Sequence, residues 1–244
     1  MELANYALKE GIKRVVIFYK AQDIYSESLM QAFTKAFKNK GGKVVRSRNL
    51  ADPKLDASYE VYLSVVQDEA HAAVFFPNIE LISTVINMAR AREQQKIPKY
   101  LGKNLRLLGG DALYGVDTLK LGNEALEGLV LAIPWSPEAS YSKKFAQRAC
   151  NQWGQGISWR TAASYDATLA FIQAILESKN PSRQSVLEKL KSIKLPADKT
   201  SGDALAFQDG EPRNKTPVLV KIVPGSGDKC SDSERSRYHF QKVD

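Results

Sequence analysis

The chain has 244 residues, 43% of them hydrophobic and 25% charged, with a formal net charge of +8. That content supports a real hydrophobic core in one large or two small domains and excludes disorder, and no apolar run approaches the roughly 20 residues of a membrane-spanning helix. Lysine and arginine are dispersed and mixed with Asp and Glu, which describes a solvated surface and argues against nucleic acid as a partner.

The amino terminus, MELANYALKEG, lacks the apolar stretch of a secretory signal. Val15 to Phe18 is a short β-branched and aromatic run, followed by apolar positions at helical spacing: Leu29, Met30, Phe33, Ala36 and Phe37. Gly41-Gly42 ends that helix, and Lys43-Val44-Val45 opens a second strand. Asp56 is placed to cap the next helix, with Val61, Val65 and Val66 as its apolar stripe. Ala72 to Phe76 is a third strand, after which Asn78 caps a helix lined by Ile82, Val85, Ile86 and Ala89. Leu105 to Leu108 forms a fourth strand stopped by Gly109-Gly110-Asp111, and Leu129 to Ile133 a fifth, halted at Pro134. Strands alternating with helices in this way predict an α/β fold with a parallel, Rossmann-like sheet covered by helices on both faces.

Beyond the fifth strand the alternation stops. Tyr141 to Cys150 reads as a helix, and Ala163 to Ile172 as one that is apolar nearly all round and so buried. A third helix starts at Asn180-Pro181 and carries Val186, Leu187, Leu190 and Ile193. A strand follows at Val218 to Val223. Cys150 falls in a helix and Cys230 in a polar tail, too few ligands for structural zinc. They read as two unpaired thiols, with a disulfide left open only for an oxidising compartment.

Catalytic signatures are missing from the sequence. The two histidines, His71 and His239, make no His-Glu-x-x-His pair, and there is no Gly-x-Ser-x-Gly elbow. The segments at Gly154-Gln155-Gly156 and Gly225 to Lys229 have the wrong context or spacing for phosphate loops and read as turns. A parallel sheet without nucleophile, base, metal cluster or cofactor loop points to binding more than to catalysis, with no cofactor and no metal.

Several pieces fall in a familiar order: Tyr25-Ser26 and Leu29 after the first strand, Gly109-Gly110-Asp111, Glu127-Gly128-Leu129-Val130 leading to Pro134, Tyr165-Asp166-Ala167, and Gly202, Phe207 and Gly210. This order resembles the type I periplasmic binding proteins, the leucine/isoleucine/valine-binding receptor family of ABC transporters. The resemblance implies two α/β lobes joined by crossing strands, with an amino acid or similar small polar ligand held between them and delivered to an ABC permease by lobe closure. It further implies a periplasmic or extracellular location. Residues 1–135 and 198–244 correspond to the second, ligand-binding lobe, and 136–197 to a helical remnant of the first. The helices of that remnant would lack the sheet they normally cover. The expectation is therefore a carboxy-terminal part of a longer gene, or a dimer formed through exposed apolar helices.

By the same resemblance Tyr25 lays a ring on the ligand side chain, the alternative being local packing at a helix entry. Asp111 pairs with a ligand ammonium, the alternative being a turn residue after Gly-Gly. Asn78, after Phe75-Phe76-Pro77, either meets the ligand or only caps its helix. Arg160 stands where branched-chain binders tend to have an aromatic; facing the cleft it would favour an acidic or polar ligand, and otherwise it pairs with a surface carboxylate. Ser164, Tyr165 and Asp166 are expected to be structural. Two other functions compete with transport: a ligand-sensing domain coupled to a signalling partner, and a sheet-edge enzyme using Asp111.

Overall fold

The computed structural model describes residues 2–94, 105–213, 215–227, 230 and 236–243. The chain divides into two compact units, Met1–Ile133 with Leu219–Gly227 and Arg235–Asp244, and Pro134–Val218 with Asp228–Glu234.

The first unit is the α/β sheet predicted from the alternation. Helix α1 (Glu2–Lys9) precedes strand β1 (Arg14–Tyr19), α2 (Ile24–Lys38), β2 (Lys43–Asn49), α3 (Ala57–Tyr62), β3 (Ala72–Phe76), α4 (Ile82–Gln94), β4 (Arg106–Gly109), α5 (Val116–Gly122) and β5 (Val130–Ile133). Later in the chain β9 (Val218–Pro224) and β10 (Tyr238–Lys242) complete a seven-stranded sheet of order β10-β9-β5-β4-β3-β1-β2. Neighbours from β2 to β5 are parallel, whereas β10 runs antiparallel to β9. Every residue of β3 is buried, as expected of a strand with helices on both faces. Phe18 stacks on Phe75 across β1 and β3 at 5.3 Å, and Phe33, Phe37 and Phe76 close the adjoining helix-sheet layer.

Local chemistry explains most boundaries. Asp23 caps α2 by accepting from the Ser26 N–H, and Asp56 caps α3 through the Tyr59 N–H. At the other end of α2 the Gly42 N–H bonds Phe37 O and the Gly41 N–H bonds Lys38 O, the paired bonds of a Schellman stop. Val66 departs from its expected apolar stripe and is exposed, because α3 continues into a π-helical turn, Leu63–Gln67, whose larger number of residues per turn rotates the positions within it off the helical spacing. The tail also differs from expectation, since it ends in β10, whose Phe240 is buried against Tyr114 at 4.3 Å.

The second unit holds α6 (Lys143–Trp153), α7 (Trp159–Leu176), α8 (Arg183–Ser192) and a three-stranded antiparallel sheet of β6 (Lys194–Leu195), β7 (Leu205–Gln208) and β8 (Glu211–Pro212). Helix α8 begins two residues later than Asn180-Pro181 suggests. Ser182 is its cap: the Ser182 and Ser185 side chains each accept the other's backbone N–H, a reciprocal arrangement that outcompetes the proline signal. Helix α7 corrects a second expectation. Only Ala162, Asp166, Ala170 and Ala174 are buried, a narrow small-residue stripe, while Phe171, Ile172, Ile175 and Leu176 are about half exposed or more. Third, the cysteines are not free: Cys150 on α6 is disulfide-bonded to Cys230, with Cα atoms 5.4 Å apart.

Candidate functional site

Parallel strands deliver their carboxyl ends to one edge of a sheet, and open α/β sheets receive ligands there. At that edge the chain leaves β1 through Lys20 to Tyr25, leaves β3 through Pro77 and Asn78, and leaves β4 through Gly110 and Asp111. The first of these turns is tied to the second through Ser26. Its buried hydroxyl accepts from the Lys20 N–H at 2.7 Å and donates to the carbonyl of Phe76.

Held in this way, Tyr25 reaches across to the end of β4. Its hydroxyl donates to Asp111 Oδ1 at 2.6 Å and accepts the Ala112 N–H at 3.2 Å. Asp111 opens a 3-10 turn, Asp111–Leu113, anchored by buried Ala112 and Leu113, so the carboxylate is fixed from both sides. Among the described residues nothing donates to its other oxygen. The structure therefore brings together Tyr25 and Asp111, which are 86 positions apart in sequence. The pair presents a positioned carboxylate with a half-exposed aromatic ring beside it, suited to a cation carried on a small organic ligand.

Asn78 lies at the end of the adjacent strand, but it is not the helix cap that its position suggests. Its backbone occupies the cap position of a short 3-10 turn, Ile79–Leu81, while its side chain makes no capping bond. The amide nitrogen instead donates to Glu80 Oε2 at 3.3 Å, and Lys20 Nζ holds the same oxygen at 3.0 Å. These bonds, that of Lys20 first, hold the exposed Glu80 carboxyl below the ordinary carboxylate range. Asn78 Oδ1 is buried with no partner among the described residues. Lys20 and Glu80 carry no sequence signal beyond their positions just past strand ends.

Arg160 belongs to the second unit, in the first turn of α7, where its guanidinium lies over the Trp159 ring at 4.5 Å. The residue is half-buried.

The second unit contains a cavity of about 640 Å³ whose walls include Trp135, Tyr141, Trp159, Asp166, Asp203 and Lys215. Its polar groups are largely committed. Asp166 accepts the Ser201 N–H at 2.7 Å and the Ser201 hydroxyl at 2.8 Å, and Lys215 pairs with Asp203 at 3.2 Å. Burial pushes the Asp166 carboxyl up from 3.8 and the Tyr141 phenol up from 10.0, the latter aided by the Asp203 charge. We read this cavity as framework, because both of its aspartates already have a protein donor.

The raised pKa of Asp166 has a stability consequence. Its folded value lies above the unfolded one, so the cost is absent in acid below the unfolded pKa, grows as pH rises to the folded pKa and is constant above it. Asp166→Asn keeps an acceptor for the Ser201 N–H and a donor for its hydroxyl, and removes that cost. The variant is expected to gain stability relative to the parent on going from pH 4 to pH 8. Asp166→Ala, which leaves the Ser201 N–H buried and unpaired, is expected to lose about 1–3 kcal/mol. Urea unfolding at the two pH values measures both.

Comparison with known proteins places these features. The family model described as periplasmic binding protein matches residues 1–221. A leucine-binding protein from Thermotoga maritima superposes with a TM-score of 0.78 at 22% identity, over 98% of this chain and 63% of that one. A closed-form binding protein for leucine, isoleucine, valine, threonine and alanine from Brucella ovis gives 0.77 at 14% identity, over 100% and 60%. A solute-binding protein of an ABC transporter from Rhodopseudomonas palustris, in complex with 3,4-dihydroxybenzoic acid, gives 0.71 at 18% identity, over 100% and 63%. The chain thus spans roughly three fifths of the length of these structures. No curated protein matches the sequence.

Proposed function

This chain belongs to the periplasmic binding protein family, a family of solute-binding proteins, and we propose that it is the ligand-binding part of a receptor that delivers an amino acid or similar small polar solute to an ABC permease. The observation that carries the reading is the Tyr25–Asp111 hydrogen bond at the carboxyl edge of the sheet. A fixed carboxylate with an open oxygen is matched by a ligand ammonium, and the adjoining ring shields the contact from water. In this reading Met1–Ile133 with Leu219–Gly227 and Arg235–Asp244 is lobe two of the receptor, and the second unit contributes helices of lobe one. Transport rests on closure of two lobes over the solute, and no step of it needs a nucleophile or a base. The Cys150–Cys230 disulfide supports a periplasmic or extracellular location, because such bonds persist in oxidising compartments.

In a version carrying both lobes, Asp111→Asn is expected to weaken binding by about 1.5–3 kcal/mol, the range for a hydrogen bond to a charged group, and Tyr25→Phe by less because the ring remains. Calorimetry against the twenty amino acids tests this. Unchanged affinity in Asp111→Asn would remove that residue from the site.

The exposed residues Phe171, Ile172, Ile175 and Leu176 on α7 support the proposal that the whole protein covers this face with further chain, the remaining share of the family's length. The 244-residue chain alone is then expected to self-associate through it. Light scattering should find oligomers that Phe171→Lys with Ile175→Glu converts to monomers; a monodisperse parent monomer would count against the proposal.

A further inference from the structure

The unpaired oxygen of Asn78 identifies a demand that an aliphatic ligand cannot meet. Glu80 and Lys20 settle which way the amide points. An ionised carboxylate only accepts, so the Asn78 nitrogen must face Glu80 Oε2 and the oxygen must face away, into a position where it is buried and no described residue donates to it. A buried acceptor left without a donor is costly in any folded protein. The position is also specific. Phe75 of β3 pairs with Gly109 of β4, so the two strands end side by side. Asn78 and Asp111 thus each lie two residues past the ends of neighbouring parallel strands, at the same edge of the sheet. The two groups therefore share one edge of the sheet, on neighbouring strands.

We infer that Asn78 Oδ1 selects the ligand by accepting a hydrogen bond from a second N–H or O–H group, while Asp111 takes the cationic amino group. The substrate class is therefore an amino acid whose side chain carries a donor, as an amide or hydroxyl does, in preference to a branched aliphatic one. The inference rests on the proposal that Tyr25, Asp111 and Asn78 line the ligand site. Glu80 and Lys20 act in it as positioning residues, holding the amide with its nitrogen towards Glu80 and its oxygen turned away from it. A site built around a buried acceptor rejects the isostere that lacks the donor more strongly than an apolar pocket rejects an extra polar group.

The test uses pairs of amino acids of matched shape, L-leucine with L-asparagine and L-methionine with L-glutamine, titrated into the 244-residue chain. Amide and side-chain signals are followed by two-dimensional NMR, which reads the weak binding of a single lobe. The expected result is at least tenfold tighter binding of the amide member of one pair, with the Asn78 side-chain signal shifting. Asn78→Leu should bring that ratio to one or below, and Asp111→Asn should weaken both members alike without changing it. Equal affinities in the parent, or a ratio that survives Asn78→Leu, would overturn the inference while the common loss in Asp111→Asn leaves the site standing. An Asn78→Leu variant that weakens both members equally would also overturn it, by giving Asn78 to the ammonium. If no probe shifts signals from Tyr25, Asn78 or Asp111, or if Asp111→Asn binds as the parent does, the site itself is misplaced and the inference falls with it.

Discussion

Replacing Glu60 by alanine is expected to destabilise the first unit by about 3–5 kcal/mol, the range for breaking a buried ion pair from one side. Glu60 is 3% exposed and receives two arginines from β2: Arg46 Nη1 bonds Oε2, and Arg48 Nε bonds Oε1 at 2.9 Å. Arg46 also bonds Asp68 Oδ2 at 2.6 Å and Ser64 Oγ at 3.2 Å, and its guanidinium lies over the Phe18 ring at 6.0 Å. Removing the carboxylate leaves Arg46 half desolvated with Asp68 as its only anionic partner among the described residues, and deprives Arg48 of its shorter contact. The mechanism is separable from simple loss of packing. Glu60→Leu combined with Arg46→Met replaces charges by apolar groups of similar volume and is expected to recover most of the loss. Urea unfolding of the parent, the single variant and the double variant measures this; equal destabilisation in both variants would assign the effect to shape instead.

The same network marks where sequence reading stops. Periodicity exposes β1, β3, β4 and β5 because their residues are apolar on both faces, and a short, continuous apolar run bounded by turn residues fits a fully buried strand. Strand β2 is recognisable only at its start, since Arg46, Ser47 and Arg48 look like surface. What turns Arg46 inward is the carboxylate of Glu60, a tertiary partner with no local signature, and a register shift opposite Val15 and Val16 also breaks the simple alternation. Strand β10 and helix α1 escape sequence reading for a related reason. Each buries so few residues that neither a strand nor a helix period stands out against their charged neighbours.

The candidate site is legible to a similar depth. Tyr25 and Asp111 lie just past strand ends, and a parallel sheet brings all such positions to one edge, so their meeting follows from topology. The orientation of Asn78 does not. An asparagine before a helix reads as a cap, and only the competing bond to Glu80, itself held by Lys20, pulls the amide away from that role. For α7, apolar composition predicts burial, but burial requires a partner surface. Among the described residues, full burial on this helix is confined to Ala162, Asp166, Ala170 and Ala174.

Gly202→Ala is expected to be the most damaging single-methyl change in the chain, at about 4 kcal/mol or more. Gly202 has φ +121°, a conformation that L side chains rarely adopt, which alone costs on the order of 1–3 kcal/mol. A Cβ there would also overlap the Tyr141 carbonyl oxygen and come within 3.0 Å of Ser142 Cα, and overpacking of this kind adds about 1–3 kcal/mol or more. The turn cannot drift aside to make room. The preceding residue, Ser201, is pinned by Asp166 at both its N–H and its hydroxyl, and its carbonyl accepts from Trp135 Nε1 at 3.1 Å. On the other side, Ser142 begins α6 with its hydroxyl bonded to the carbonyls of Ser136 and Ala139. Backbone faces backbone at Gly202, with no flexible side chain to yield. Gly210 provides the control, since its φ of +84° carries conformational strain but nothing lies within 4 Å of the added carbon. Gly210→Ala should therefore cost only about 1 kcal/mol, the local penalty of a left-handed alanine. Thermal and urea unfolding of the two variants side by side decides the point. If both lose the same stability, strain alone governs this turn and the contact with Tyr141 contributes nothing.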